Sequence, residues 1–205
     1  MSSTQVDVLH VIGSFVAAGA ERFVVDLIRQ LKQHGLSVGI IALSSKSDVV
    51  GQTMCTLLRK KEIPFFIGPT DKVSYRSALW YVKKLYEIHP AVVHLHTPNT
   101  ELAHYIGTKF YRKNHLLVRT LHSTTIPPNQ WYWRALRKNV ANISIACSNA
   151  VRQSFLSEID GEILTIQNGV KFSWPVQTIA LREQYRTNLG HSHDIYHFLN
   201  VGRQS

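Results

Sequence analysis

The sequence predicts an α/β fold, a parallel sheet of about seven strands alternating with helices. Three observations carry that prediction. Short apolar runs of strand length, rich in β-branched residues, recur along the whole chain. Between them lie longer segments whose apolar residues fall at helical spacing with charges in the gaps. The junctions carry Gly, Pro, Ser and Asn, the residues that punctuate βα units.

The first unit, residues 6–35, sets the pattern. Residues 8–12 form the opening strand, and the small-residue stretch Gly13-Ser14-Phe15-Val16-Ala17-Ala18-Gly19 makes a loop. Ala20, Phe23, Val24, Leu27, Ile28 and Leu31 then define an amphipathic helix beginning at Gly19 or Ala20, and Gly35 stands where a helix end wants positive φ. Such a helix start aims unpaired N–H groups at whatever lies above the loop. Gly19 removes a Cβ there, and Glu21 suits the positive end of the helix dipole.

The same grammar repeats. Strands are expected at 38–43, 64–67, 92–96, 116–121, 143–147 and 163–166. Helices are expected through Val50, Met54, Leu57 and Leu58, through Tyr75, Ala78, Leu79, Val82 and Leu85 with a stop at Pro90, and over 100–111 and 130–140. A short helix capped by Ser148 carries Val151 and Phe155. Asn168-Gly169 is a turn signal. Beyond it, 180–189 reads as a helix and 196–201 as an eighth strand, followed only by Gly202-Arg203-Gln204-Ser205. That ending reads as the opening of a further βα unit, and the chain as a piece of a longer protein. The expected division is 1–170 for the main domain, 171–195 for a linker with its helix, and 196–205 for the first strand of a second domain.

Bulk composition narrows the classes. The 205 residues are 44% hydrophobic and 18% charged, globular values. A formal net charge of +10 points to an anionic partner. The two cysteines, Cys55 and Cys147, are isolated, with no disulfide or metal spacing. The N-terminal residues lack a signal-peptide pattern, and no run approaches the roughly 20 apolar residues of a spanning helix. A cytoplasmic protein is expected, touching the inner face of a membrane if any.

In parallel sheets ligands gather beyond the carboxyl ends of the strands. That rule selects 13–19, His96-Thr97-Pro98-Asn99, His122-Ser123-Thr124, Ser148 and Asn168-Gly169 as one rim. His94 and His96 share a strand face, but no cysteine or carboxylate stands near them in sequence, so no metal is expected. Trp131, Arg134, Arg137 and Lys138 put an indole beside cations on one helix face, a pattern suited to an anionic membrane surface and equally to aromatic packing under a basic surface.

Several segments resemble the N-terminal domain of retaining family-4 glycosyltransferases of the GT-B fold. AGAERFVVDLIRQLKQHGLSV (18–38) is similar to that family's GGAE-R segment, and AVVHLHTPN (91–99) to its fourth-strand segment. VRTLHST (118–124) resembles the strand ending in histidine, and IACSNAVRQSF (145–155) the sixth strand, its serine and the next helix. IQNGVKF (166–172) resembles the Asn-Gly-Val turn at the domain crossing, and FLNVGRQS (198–205) the first strand of the C-terminal domain. Each is weak alone, and together, in order, they are specific.

The resemblance implies a Rossmann-like parallel sheet with helices on both faces, the N-terminal half of a GT-B fold. It implies an acceptor-side domain, with a donor-binding C-terminal domain missing here and a chain inactive by itself. The full-length enzyme would move a sugar from a nucleotide-sugar donor to a cell-envelope glycan or lipid-linked acceptor, with no cofactor and no metal. His122 is implied as the catalytic residue, Gly19 and Arg203 as donor phosphate contacts, and His96, Asn99 and Ser148 as acceptor contacts. Asn168 and Gly169 form the interdomain turn. Asn99 and Ser148 also fit helix capping. Two departures stand out: Ala18 where the family often has its first glycine, and Lys171 where it often has an acidic residue.

Other classes fit less well. A non-catalytic subunit docking to a separate donor-binding chain is the alternative. A nicotinamide oxidoreductase should show GxGxxG and an acidic end to the second strand, which here reads Ala42-Leu43-Ser44-Ser45. No nucleic-acid recognition motif is present, so no nucleic-acid partner is expected.

Overall fold

The computed structural model describes residues 6–109, 114–124, 141–169 and 179–191. The chain forms two compact units, Met1–Asn168 and Gly169–Ser205. In the first, seven strands form one sheet in the order β3-β2-β1-β4-β5-β6-β7, every pairing parallel. They are β1 (Val8–Ile12), β2 (Val38–Ala42), β3 (Phe65–Ile67), β4 (Val92–Leu95), β5 (Leu116–Leu121), β6 (Ile143–Ala146) and β7 (Ile163–Thr165). The helices are α1 (Gly19–Gln33), α2 (Val49–Lys60), α3 (Tyr75–Ile88), α4 (Pro98–Thr108) and α5 (Asn149–Phe155). In the second unit α6 (Ile179–Asn188) is described.

Strand alternation decides which residue meets which layer. Leu9 and Val11 of β1, Val93 and Leu95 of β4 and Leu117 of β5 pack with Tyr81, Leu85 and Ile88 of α3. Ile12 and Ile40 point the other way, onto Val24, Val25 and Ile28 of α1 and Met54 and Leu58 of α2. A third cluster joins Leu121, Ala146 and Ile163 to Val151 and Phe155 of α5. Apolar residues at both phases of the central strands are the mark of a sheet covered on both faces.

The strand order reverses between β1 and β4. The crevice at such a switch point is where ligands bind in open α/β sheets. The polar His10 sits in β1 directly opposite Ile40 of β2 and His94 of β4, on the α1 side of the sheet.

Local chemistry fixes the boundaries. Ser148 caps α5 by accepting from the Val151 N–H at 3.2 Å, as its sequence position predicts. α3 ends in a left-handed residue, His89 at φ 54, just before Pro90. Gly35 has φ +84, the positive value expected after α1. α4 starts two residues earlier than its apolar pattern indicates, because the Thr100 hydroxyl ties the Thr97 backbone at its start and Pro98 supplies a ready helical φ at its first position. β4 stops at Leu95 rather than His96, although the His96 N–H still donates to the Val11 carbonyl at 3.2 Å. The helix expected at 130–140, the strand at 196–201 and Lys171 lie outside the described residues.

Candidate active-site cleft

The β1–α1 loop is held from below. Phe15 is buried beneath it and meets Phe65 edge-on at 6.2 Å. The Asp48 carboxylate accepts from the Ala17 N–H at 2.7 Å and from the Gly51 N–H at 2.8 Å, so one side chain caps α2 and ties down the loop. Those two backbone donors hold the Asp48 carboxyl below its usual range. Ala18 is in ordinary extended conformation at φ −133, ψ 158, so alanine there causes no backbone strain. Ala18 gives α1 no side-chain cap, and in the first turn the buried Glu21 carboxyl accepts from its own backbone N–H. A Cβ at Gly19 would meet nothing within 4 Å, so this helix start is open to an approaching ligand.

Beyond the strand ends lies a cleft of about 530 Å³. Gly13 and Ser14 come from the β1–α1 loop, Ser44 and Lys46 from the segment after β2, and Asp71, Lys72 and Ser74 from the segment before α3. The Ser44 hydroxyl donates to the Asp71 carbonyl at 2.6 Å, and the Ser45 hydroxyl to the Asp71 carboxylate at 2.9 Å, joining two of these loops. Asn99 lines the cleft from the first turn of α4, and Leu102, Ala103 and Ile106 form an apolar wall. Asn99 is not at the N-cap of its helix; Thr97 is, and its backbone N–H donates to the Thr100 hydroxyl at 3.2 Å. The orientation of α4 is set by a buried ion pair, Glu101 with Arg119 of β5 at 3.3 Å, and the Arg119 Nε donates to Ser144 at 2.9 Å.

A row of imidazoles crosses the switch point. His10 Nδ1 lies 3.0 Å from His96 Nε2, and His96 Nδ1 lies 3.2 Å from His122 Nε2. The His94 ring lies tilted against that of His96, with centroids 4.1 Å apart, and shares a 2.8 Å hydrogen bond with the Thr120 hydroxyl. Burial pulls all four below the ordinary imidazole value, His94 and His122 to about 4. They are neutral at neutral pH. His10, His94 and His96 bring ring nitrogens within 4.8 Å of one another, a spacing that could hold a cation. Their mutual hydrogen bonds and the Thr120 contact already engage several of those nitrogens.

The predicted site residues fall in different places. Asn99 is in the cleft, and Gly19 is at the open helix start. His122 is half-buried just past β5, edge-on to Phe23 of α1 at 5.4 Å. His96 is only 2% exposed and stands behind His122 rather than lining the cleft. Ser148 is occupied as a helix cap. Asn168 and Gly169 are exposed beyond β7, at the division between the two units. Trp131, Arg134, Arg137, Lys138 and Arg203 lie outside the described residues. Sequence reasoning missed Asp48, His10, Lys46 and Lys72. Asp48, just before a helical pattern, and His10, a polar residue inside an apolar strand, carried a readable signal.

The family model for glycosyltransferase family 4 matches residues 17–174. The chain belongs to glycosyltransferase family 4. No curated protein matches it in sequence. Solved structures extend the likeness at the level of fold. A glycosyltransferase from Rickettsia africae superposes with a TM-score of 0.71 at 18% identity, over 93% of this chain and 51% of that one. Anabaena HepE in complex with UDP and glucose superposes with a TM-score of 0.68 at 18% identity, over 91% and 50%. The lipopolysaccharide outer core galactosyltransferase WaaB gives 0.54 at 12% identity, over 75% and 44%. This family-4 chain spans about half the length of these neighbours, and its Rossmann-like sheet is the GT-B half that they share.

Proposed function

We propose that this chain is the acceptor-binding half of a retaining glycosyltransferase that moves a hexose from a nucleotide sugar to a cell-envelope glycan or lipid-linked acceptor. The observation that carries the reading is the cleft beyond the strand ends of a family-4 domain, with lysines on its rim and an apolar wall. In the transfer, the acceptor hydroxyl oxygen bonds to the anomeric carbon as the bond from that carbon to the diphosphate breaks. The hydroxyl proton leaves with the diphosphate. Charge growing on the leaving group is met by the first-turn amides at Gly19, without a metal.

Lys46 and Lys72 add positive charge to the cleft, and its wall offers an apolar surface, a pairing that suits a phosphorylated lipid-linked acceptor. His122 contacts the transferred sugar. The net charge of +10 supports attachment to an anionic membrane through Trp131, Arg134, Arg137 and Lys138. No helix among the described residues is long and apolar enough to cross a membrane. Because HepE is held with UDP and glucose, UDP-sugars are the first donors to test.

The test compares the 205-residue chain with one extended through the next domain, assayed for nucleotide-sugar binding and transfer. Binding and turnover by the longer chain alone are expected. His122→Ala in it should lower kcat by about 10²–10³, the usual effect of removing one transition-state donor. An extended chain that binds no nucleotide sugar would overturn the proposal and leave a non-catalytic binding subunit.

A further inference from the structure

His122 does not stand alone; it is the outer end of a chain of three imidazoles. We propose that His10 and His96 are positioning residues that lock His122 in its Nδ1–H form, so that it offers a hydrogen-bond donor, not a base, to what binds beside it. The role at the reacting sugar rests on the function proposed above. The locked tautomer does not.

Protons along the row can be counted. A neutral imidazole has one N–H and one lone pair. Each N···N contact needs one of each, so the chain must run in a single direction. In one direction His10 Nδ1–H donates to His96 Nε2, and His96 Nδ1–H donates to His122 Nε2. The proton of His122 is then on Nδ1, and His10 keeps a lone pair on Nε2. In the other direction every proton moves across, and His10 Nε2 carries an N–H.

The inner end decides between them. His10 Nε2 is buried and has no hydrogen-bond partner among the described residues. A buried N–H without an acceptor is rarer and more costly than an under-used acceptor. The first direction leaves only a lone pair unused there, so it is the one the core selects. Burial keeps the three rings neutral, which the count requires. His94 stands outside the chain, with its Nε2 bonded to Thr120 and its ring packed at a tilt against that of His96.

The test is a long-range ¹H–¹⁵N correlation spectrum of the ¹⁵N-histidine-labelled 205-residue chain near pH 7.5, with His122 identified by its loss in His122→Ala. We expect a protonated Nδ1 and a bare Nε2 on His122, with a scalar coupling across the hydrogen bond from His96 Nδ1. In His10→Met, whose thioether sulfur can accept but not donate, the row can run the other way and His122 should move toward the Nε2–H form that free neutral histidine prefers. An Nε2–H His122 in the wild type overturns the proposal, as does an unchanged His122 tautomer in a folded His10→Met. If that variant does not fold, the wild-type tautomer and coupling decide alone. No donor, acceptor or turnover enters the measurement, so a failure of the glycosyltransferase reading would leave its outcome intact.

Discussion

Arg119 stands in the middle of a parallel sheet, a position normally filled by a branched apolar side chain. It is 1% exposed, and its guanidinium is answered by Glu101 and Ser144. Two buried charges cost desolvation that their attraction only offsets when both are present. Glu101→Ala should therefore destabilise the chain by about 3–5 kcal/mol in urea denaturation. The double variant Glu101→Leu/Arg119→Met should lose much less. Equal losses in the single and double variants would show that packing volume, not charge, matters at this site. The pair reaches the candidate site indirectly, because Glu101 and Asn99 share the first turn and a half of α4.

At the scale of elements, the cleft depends on two backbone contacts that only glycine permits. A Cβ on Gly51, in the first turn of α2, would come within 1.9 Å of the Phe15 carbonyl oxygen. A Cβ on Gly68, just after β3, would come within 2.0 Å of the Leu43 carbonyl oxygen. The obstacles are backbone atoms, so no side chain can swing away. Gly51→Ala and Gly68→Ala are each expected to cost about 1–3 kcal/mol or more, the usual range for overpacking. Gly19→Ala, with open space around it, should cost far less and serves as the control. Thermal denaturation of the three variants checks the order. A Gly51→Ala as stable as Gly19→Ala would mean that α2 does not seat against the β1–α1 loop as described.

For the whole molecule, the buried histidines predict the response to acid. His10 and His96 are held well below the ordinary value of 6.5, His94 and His122 at about 4, and His104 at about 3, burial being the first cause in each. In the unfolded chain these groups titrate near 6.5. Between those values the unfolded chain binds more protons than the folded one, so stability rises with pH. The contribution is complete above about pH 6.5 and is lost as pH falls toward 4. The urea midpoint should drop steadily from pH 7 to pH 4.5, and a flat profile would show that the imidazoles are hydrated in solution.

Periodicity and punctuation alone determined the alternation of strands and helices, the ends of β1 and β5, the cap at Ser148 and the positive φ at Gly35. These depend on neighbours within a few residues, so a linear pattern records them. The motifs carried the family, and the strand-end rule pointed to Asn99, which lines the cleft, and to Gly19, at the open start of α1. The tertiary structure decided the rest. His10, His96 and His122 lie far apart in the chain and become one hydrogen-bonded row only because β1, β4 and β5 lie side by side. The same adjacency buried His96 behind His122, and the packing of the loops after β2 and β3 against α4 gave Lys46 and Lys72 a shared cleft with Asn99. Strand order is set by how whole units pack, and that information is spread over the entire core rather than written at any one position.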